Sequence, residues 1–494
     1  MFKTKLALVR TNYSQDYHFY DNGATCEDRD ILIPFQLLVL AAAAKNVGID
    51  VKIFDGEIGL KDEEQLASDI LEWKPHFVGI TVTTPDVPQV SKLCMILREE
   101  LSFYFNGKSS AGIIVGGCHA TAMPKNTLNE IGADFVVKGY GDKAIVEIVK
   151  GNCDEGIVEM YPDKFQESSA YSLLDYEDYM FTDPTCGRVK TASVMSAYGC
   201  PFRCRFCSHD RNVRFKDIDL FLGEISYLYN IQNIRYFYIY DDTFLLNRER
   251  IIKILEGLEL FSDAHFQCLT RANLINEEIA ERLKEANFVR VSMGLESGSD
   301  EILKRVSKGV WIEDAVRACE ILHNTGIETR ASFILGLPYE THETVNETIE
   351  FAKSLELYHA NFNIMTPYPG SEAYGMTLRN EGLRFAEKRY ETDWAEYRRW
   401  GRAIIETDDL TAEDLEDYQV KAQVGFYSQR KIYDYYYMLF MNGNRSRYFY
   451  RPLNFAWNQQ FGMDVPFWNE LDNSKIVGAS HELNGKRNQV CDRV

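Results

Sequence analysis

The chain lacks a long apolar run. Its longest stretch, Ile31 to Ala44, is interrupted by Pro34 and Gln36 and falls short of the roughly 18 residues a bilayer span needs. No membrane span is expected. The chain also opens without the basic, apolar and small residues of a signal segment, since Lys5 to Arg10 already reads as a strand. A cytoplasmic protein is the simplest reading. A basic excess is missing too: 54 Lys and Arg stand against 74 Asp and Glu, for a formal net charge of −20. Such a surface repels phosphate backbones, so no nucleic-acid partner is expected. Cysteine is sparse, eleven in 494 residues, which excludes a disulfide scaffold. No internal repeat or low-complexity tract is present.

What remains is an ordinary globular composition, 45% hydrophobic and 26% charged. The length predicts two to four domains at roughly 100–200 residues each. Residues 1–150 alternate strand and helix patterns: strands at Lys5–Arg10, Val51–Phe54, Phe77–Val82, Gly112–Val115 and Asp134–Val137, helices at Ile31–Asn46, Glu63–Trp73, Val87–Leu101 and Pro124–Ile131. That rhythm predicts a doubly wound parallel sheet. Ligands bind such sheets outside the carboxyl ends of the strands, where Thr81–Thr84, Gly116–Thr121 and Gly139–Asp142 fall. Residues 151–190 are acidic and aromatic and read as a connector.

A second series fills residues 191–375. Strands are expected at Thr191–Ala197, Arg235–Tyr240, His265–Thr270, Phe288–Met293, Thr329–Leu335 and Asn361–Thr366, separated by helical patterns. Six β-α units suggest a partial (β/α)6 barrel with its site at the carboxyl ends of the strands. Residues 376–494 are dense in Tyr, Trp and Phe. They are expected to form a mainly helical packing surface or substrate cap.

Three cysteines crowd together in Cys200-Pro201-Phe202-Arg203-Cys204-Arg205-Phe206-Cys207, directly after the first expected barrel strand. Iron–sulfur clusters are normally held by four cysteines. Three thiolates on a 4Fe–4S cubane would leave one iron open to chelate the amino and carboxylate groups of S-adenosylmethionine. The alternative is a tetrahedral zinc site completed by His209.

The C-x3-C-x2-C run, with an aromatic before its third cysteine, resembles the signature of the radical S-adenosylmethionine superfamily, and the similarity continues through most of residues 191–375. Tyr240-Asp241-Asp242-Thr243-Phe244 resembles the family's motif near the methionine amino group, where a carboxylate pairs with an ammonium. Gly294-Leu295-Glu296-Ser297-Gly298-Ser299 resembles the segment lining the ribose and methionine carboxylate. Phe333-Ile334-Leu335-Gly336-Leu337-Pro338 resembles the stretch beside the adenine, and Pro367-Tyr368-Pro369-Gly370 the closing turn. The resemblance implies cluster ligation by Cys200, Cys204 and Cys207. It implies S-adenosylmethionine contacts from Phe206, Asp241, Asp242, Glu296, Ser297, Leu335 and Gly336. Singly, these segments read equally as strand-to-helix turns and caps; in order, they disfavour zinc. Arg271, after the third strand, either faces the site or makes a surface salt bridge.

With a doubly wound domain in front, the chain resembles the cobalamin-binding branch of that superfamily. The resemblance implies cobalamin contacts from Thr81, Thr83, Thr84, Gly116, Gly117, His119, Gly139 and Gly141. The Asp-x-His-x-x-Gly motif that puts histidine on cobalt elsewhere is missing, because Asp21 stands where glycine is needed after Asp16 and His18. The activity implied is methylation of an unactivated carbon on a small natural-product or lipid-type precursor, through a 5′-deoxyadenosyl radical and methylcobalamin. A small-molecule substrate and an electron donor such as flavodoxin or ferredoxin would be its partners. Radical cyclisation, ring rearrangement or oxidation with the same cofactors is one alternative. A methylthiotransferase-like enzyme is another.

Overall fold

The computed structural model describes residues 3–12, 31–104, 112–160, 169–183, 187–441 and 447–462; His18 lies outside them. The first sheet holds β1 (Lys5–Arg10), β2 (Asp50–Asp55), β3 (Phe77–Thr81), β4 (Gly112–Gly116), β5 (Phe135–Lys138) and β6 (Gly156–Glu159). Their spatial order is β2-β1-β3-β4-β5-β6, and every pair is parallel. Leu6 to Val9 on β1 and Ile113 to Val115 on β4 are buried, as strands covered by helices on both faces must be. The chain winds outward one way from β1 to β2 and the other way from β3 onward. That reversal leaves a crevice outside the strand ends, the usual place for a ligand.

Local chemistry explains most element boundaries. The helix Glu63–Trp73 opens on a capping box between Asp62 and Gln65, which satisfies two otherwise unpaired N–H donors. The helix expected from Ile31 starts at Phe35, with Pro34 as its N-cap. Strand β6 falls inside the stretch read as a connector; it buries a single side chain, Val158, too little to show a period of two.

The second sheet begins with β7 (Met180–Asp183), antiparallel to β8 (Gly187–Val194). Strands β9 (Ala197–Tyr198) and β10 (Arg214–Phe215) form a separate short ladder. Then β11 (Tyr236–Ile239), β12 (His265–Thr270), β13 (Phe288–Glu296), β14 (Glu328–Leu335) and β15 (His359–Ile364) follow. They extend the sheet from β8 in parallel, giving the order β15-β14-β13-β12-β11-β8-β7. The six parallel strands curl into a half-barrel. Along β14, Ala331, Phe333 and Leu335 are fully buried while the alternate residues are half-buried. The buried set faces the outer helices, and the other set faces the concave lumen.

Helices Ala412–Tyr427, Arg430–Met441 and Arg447–Phe461 make up the C-terminal region. Their aromatics pack on β15: the Tyr427 hydroxyl donates to the Ala360 carbonyl at 3.0 Å, and the Tyr436 hydroxyl lies 3.2 Å from His359 Nδ1. One apolar cluster runs from Val9 through Ala192 to Phe426, so the sheet domain, the half-barrel and the helices share a core. Among the described residues, no helix is long and apolar enough to cross a membrane.

Candidate functional site

The cysteine loop is pinned at its base, where β9 pairs with β10 through Tyr198–Arg214 and Ala197–Phe215. Gly199 turns the chain into the loop at φ +80°; a Cβ there would lie 2.5 Å from the Asn212 carbonyl, so only glycine fits. Inside the loop, the Arg211 guanidinium donates to the carbonyls of Phe202, Cys204 and Cys207. The loop is therefore organised around a cation placed four to nine residues away in sequence from the groups it collects.

Each thiol has different surroundings. Cys200 Sγ lies 3.6 Å from Thr243 Oγ1. Cys207 Sγ lies 3.3 Å from His209 Nδ1. Buried Cys204 accepts from Arg271 Nη1 at 3.6 Å. Burial is the largest single influence and pushes the Cys207 thiol up, but the hydrogen bonds and charge of His209, with the Arg211 charge, together outweigh it and leave the thiol below its ordinary range. The same bond raises His209 to about 9. His209 Nε2 in turn pairs with Asp242 at 2.8 Å, and Asp242 also accepts from Gly199 N at 3.0 Å. Among the described residues, no three Cys, His, Asp or Glu side chains converge as a single ion requires. The chemistry of the donor set, three thiols with cations beside them, fits a cluster whose irons each take one thiolate.

The other expected contact segments end β11, β13 and β14, so all lie on the same edge of the half-barrel as the cysteine loop. Their side chains differ in availability. The Asp241 carboxylate is fully buried, accepts from Ser196 N and Oγ at 2.6 Å each, and is pushed up to about 6 by burial. The Ser297 hydroxyl is taken up by Ser299 N in its own turn and by Thr348 Oγ1 on the helix His342–Ser354. Leu335 points into the core, which leaves only its backbone on the edge. Gly336 N and Leu337 N both donate to Glu340, whose carboxyl burial raises to about 8. Glu296 adopts φ +68° beyond a register shift between Gly294 and Glu296, and its carboxylate binds Lys308 Nζ at 2.7 Å. Lys308 Nζ also sits 5.8 Å from the Phe206 ring centroid. Phe206, Asp242 and Glu296 are thus the expected contacts whose side chains adjoin the cysteine loop or the lysine beside it.

The loops after β3, β4 and β5 gather at the end of the first sheet. Gly117, at φ +117°, lets the chain pass so close that a Cβ would lie 2.5 Å from the Val82 carbonyl. Thr121 Oγ1 donates to Gly117 O at 2.8 Å and accepts from Gly139 N at 3.1 Å, tying the second loop to the third. Thr83 Oγ1 donates to Asp86 at 2.6 Å. His119 Nδ1 lies 3.2 Å from Thr84 Oγ1, and burial lowers its pKa to about 4. Buried His119 Nε2 and Asp142 Oδ1 have no hydrogen-bond partner among the described residues. Thr81, Gly116 and Gly141 are half-buried at the same edge. Unpaired polar atoms beside glycines suit a broad ligand rich in amide groups, as a corrin is.

The two sets of loops meet. A Cβ added at Gly370, in the turn after β15, would lie 3.1 Å from the Ala122 side chain and 3.5 Å from that of Ser208. Ala122 closes the His119 loop and Ser208 follows Cys207. Four residues of this region carry no motif in the sequence: Arg211, Lys308, Glu340 and Trp394 act through partners distant in the chain or through backbone groups.

The sequence matches the Radical SAM superfamily over residues 194–352 and the B12 binding domain over residues 27–149. The chain belongs to the radical S-adenosylmethionine enzymes. Within them it belongs to the branch that carries a cobalamin-binding domain, and its cofactors are a 4Fe–4S cluster, S-adenosylmethionine and cobalamin. It is similar to an uncharacterized methyltransferase of Pyrococcus horikoshii, 29% identical over 81% of this chain and 88% of the relative. It is also similar to the anaerobic magnesium-protoporphyrin IX monomethyl ester cyclase of Rubrivivax gelatinosus, 28% identical over 66% of this chain and 62% of that relative. The same fold occurs in the radical S-adenosylmethionine methyltransferase TsrM of Kitasatospora setae, solved with tryptophan substrate and a SAM analogue. The match has a TM-score of 0.65 at 17% identity and covers 86% of this chain and 89% of that one.

Proposed function

We propose that this enzyme methylates an unactivated carbon of a small-molecule acceptor held between its two sets of strand-end loops. The observation that carries the reading is the meeting of Gly370, Ala122 and Ser208, which brings the B12-domain loops against the cysteine loop. When bound, the cluster supplies the electron that cleaves S-adenosylmethionine and the cobalamin supplies the methyl group. The chain's own residues hold and orient. Cys200, Cys204 and Cys207 take three irons, leaving one position for the amino-acid end of S-adenosylmethionine. Glu296, Asp242 and Phe206 lie beside that end, and the backbone of Leu335 and Gly336 beside the adenine. Thr81, Thr83, Gly116, Gly117, Gly139 and Gly141 border the corrin, with Thr84 and His119 behind them. Enclosure keeps a reactive radical from solvent, and proximity supplies much of the rate. An external donor such as a flavodoxin or ferredoxin delivers the electron.

The lumen of the half-barrel favours a polar acceptor. A closed barrel fills its interior with branched apolar layers. Here Tyr238, Ser292, Arg330, Ser332, Asn361 and Asn363 occupy half-buried lumen positions and outnumber the apolar Leu269 and Ile334 there. The test is anaerobic turnover with methyl-labelled S-adenosylmethionine, reductant and a small-molecule extract, with and without cobalamin. Label entering a new species only when cobalamin is present, with 5′-deoxyadenosine formed, is the expected result. Formation of 5′-deoxyadenosine with an unlabelled product would replace methylation by cyclisation, rearrangement or oxidation.

A further inference from the structure

Arg271 follows β12 and is 4% exposed. Its guanidinium lies over the Phe202 ring, 3.7 Å from the centroid. Nη2 donates to the Lys308 carbonyl, Nη1 to Cys204 Sγ at 3.6 Å, and Nε is buried without a partner. The other buried cations among the described residues are all neutralised: Lys216 by Glu224 at 2.6 Å, Arg290 by Glu328 at 2.8 Å and Lys308 by Glu296 at 2.7 Å. Among the described residues, Arg271 forms no ion pair with a carboxylate. A buried charge without a counter-charge is costly, so an anion must answer it, and the sulfur of Cys204 is the group it touches.

We propose that Arg271 is a positioning residue for the cluster, holding Cys204 by an N–H···S contact and raising the cluster's reduction potential. The inference rests on the reading of Cys200, Cys204 and Cys207 as cluster ligands. A cubane on three thiolates carries net negative charge, and that charge grows by one when it takes an electron. A fixed cation bonded to a ligand sulfur therefore stabilises the reduced form more than the oxidised form. Hydrogen bonds to sulfur, local charge and burial are the levers that set such potentials, and in a buried site the cation is poorly screened. The redox step is one electron from the external reductant to the cluster, with no bond made or broken.

The full chain is reconstituted anaerobically with iron and sulfide, and the cluster is titrated with dithionite and viologen mediators while its electron paramagnetic resonance is followed. Arg271→Met keeps the length of the side chain and removes the charge. It is expected to lower the midpoint so that the reduced fraction at a fixed potential falls at least tenfold, a shift of about 59 mV for one electron, with iron content unchanged. Arg271→Lys is expected to restore most of that shift. An Arg271→Met protein with full iron and the wild-type midpoint overturns the proposal. Should Arg271→Met lose iron, Arg271→Lys decides: full iron at the wild-type midpoint supports the role of the charge, and loss of iron or a lowered midpoint overturns it. If the wild-type chain itself takes up no cluster, the reading of the cysteine loop fails instead.

Discussion

The imidazole of His119 meets the indole of Trp394 edge to face, with ring centroids 5.0 Å apart, although one lies just after a strand of the first sheet and the other follows the barrel. Trp394 is 5% exposed and its Nε1 donates to Glu130 at 3.0 Å. Trp394 thus ties the segment after the barrel to the His119 loop and to the helix Pro124–Ile131 that carries Glu130. Trp394→Ala should cost about 3–5 kcal/mol, measured by urea unfolding. Trp394→Phe keeps a ring, loses the hydrogen bond and should cost only about 0.5–1.5 kcal/mol beyond any packing change. If this tie positions the loops, the Ala variant also binds added aquacobalamin more weakly by absorbance titration, and the Phe variant does not.

Arg211 is the second cation whose loss should be read at the cysteine loop. Three carbonyls, those of Phe202, Cys204 and Cys207, converge on its guanidinium. Arg211→Met takes this donor from all three; the Cys204 carbonyl keeps Cys207 N at 3.1 Å, while those of Phe202 and Cys207 lose the side-chain donor that holds them, at about 1–3 kcal/mol for each one that stays buried. The expected outcome is a chain that folds, shown by an unchanged far-ultraviolet dichroism spectrum, but retains much less iron after desalting. Wild-type iron retention would show that the loop is held without Arg211.

Particular residues show what was legible in the sequence. Glu63–Trp73 and His265–Thr270 were readable to the residue, the helix because its apolar residues keep to one face and the strand because a short apolar run lies between helical patterns. Strand β15 begins at His359, two residues before Asn361, because a polar residue hides there at 9% exposure with tyrosine partners. The cysteine loop and glycine loops were visible as motifs because local turns and ligand chemistry restrict which residues fit. Their supports were not: Arg271 lies 67 residues from Cys204 and Trp394 lies 264 from Glu130, and only the fold brings such pairs together. Asp241 shows the reverse case. Its motif suggested a ligand contact, and burial instead commits its carboxylate to Ser196.

Glu340 predicts a pH dependence. Burial raises its folded-state carboxyl to about 8, against the bonds from Gly336 and Leu337 N–H that lower it, whereas an unfolded glutamate titrates near 4.3. Between those values the folded chain binds the extra proton, so stability falls as pH rises. The contribution is fully present below the unfolded value and is lost as pH climbs through about 8. Glu340→Gln cannot ionise and keeps an acceptor for both N–H groups. Urea midpoints should match between variant and wild type near pH 5 and diverge by pH 8, with the variant more stable. Parallel curves across that range would show that Glu340 stays ionised.

The Glu296–Lys308 pair separates folding from ligand binding. Both members are buried and 2.7 Å apart, so removing one leaves an uncompensated charge at about 3–5 kcal/mol. Lys308→Met and Glu296→Gln should each destabilise the chain in urea. The double variant should recover most of the loss, because two uncharged side chains replace the pair. Affinity for S-adenosylhomocysteine, measured by calorimetry on the reconstituted protein, should behave differently. If Glu296 borders the ligand as proposed, affinity falls in Glu296→Gln and stays low in the double variant despite restored stability. Recovery of affinity together with stability would make the pair a purely structural strut, and the ligand contact would then have to come from Asp242 or Phe206.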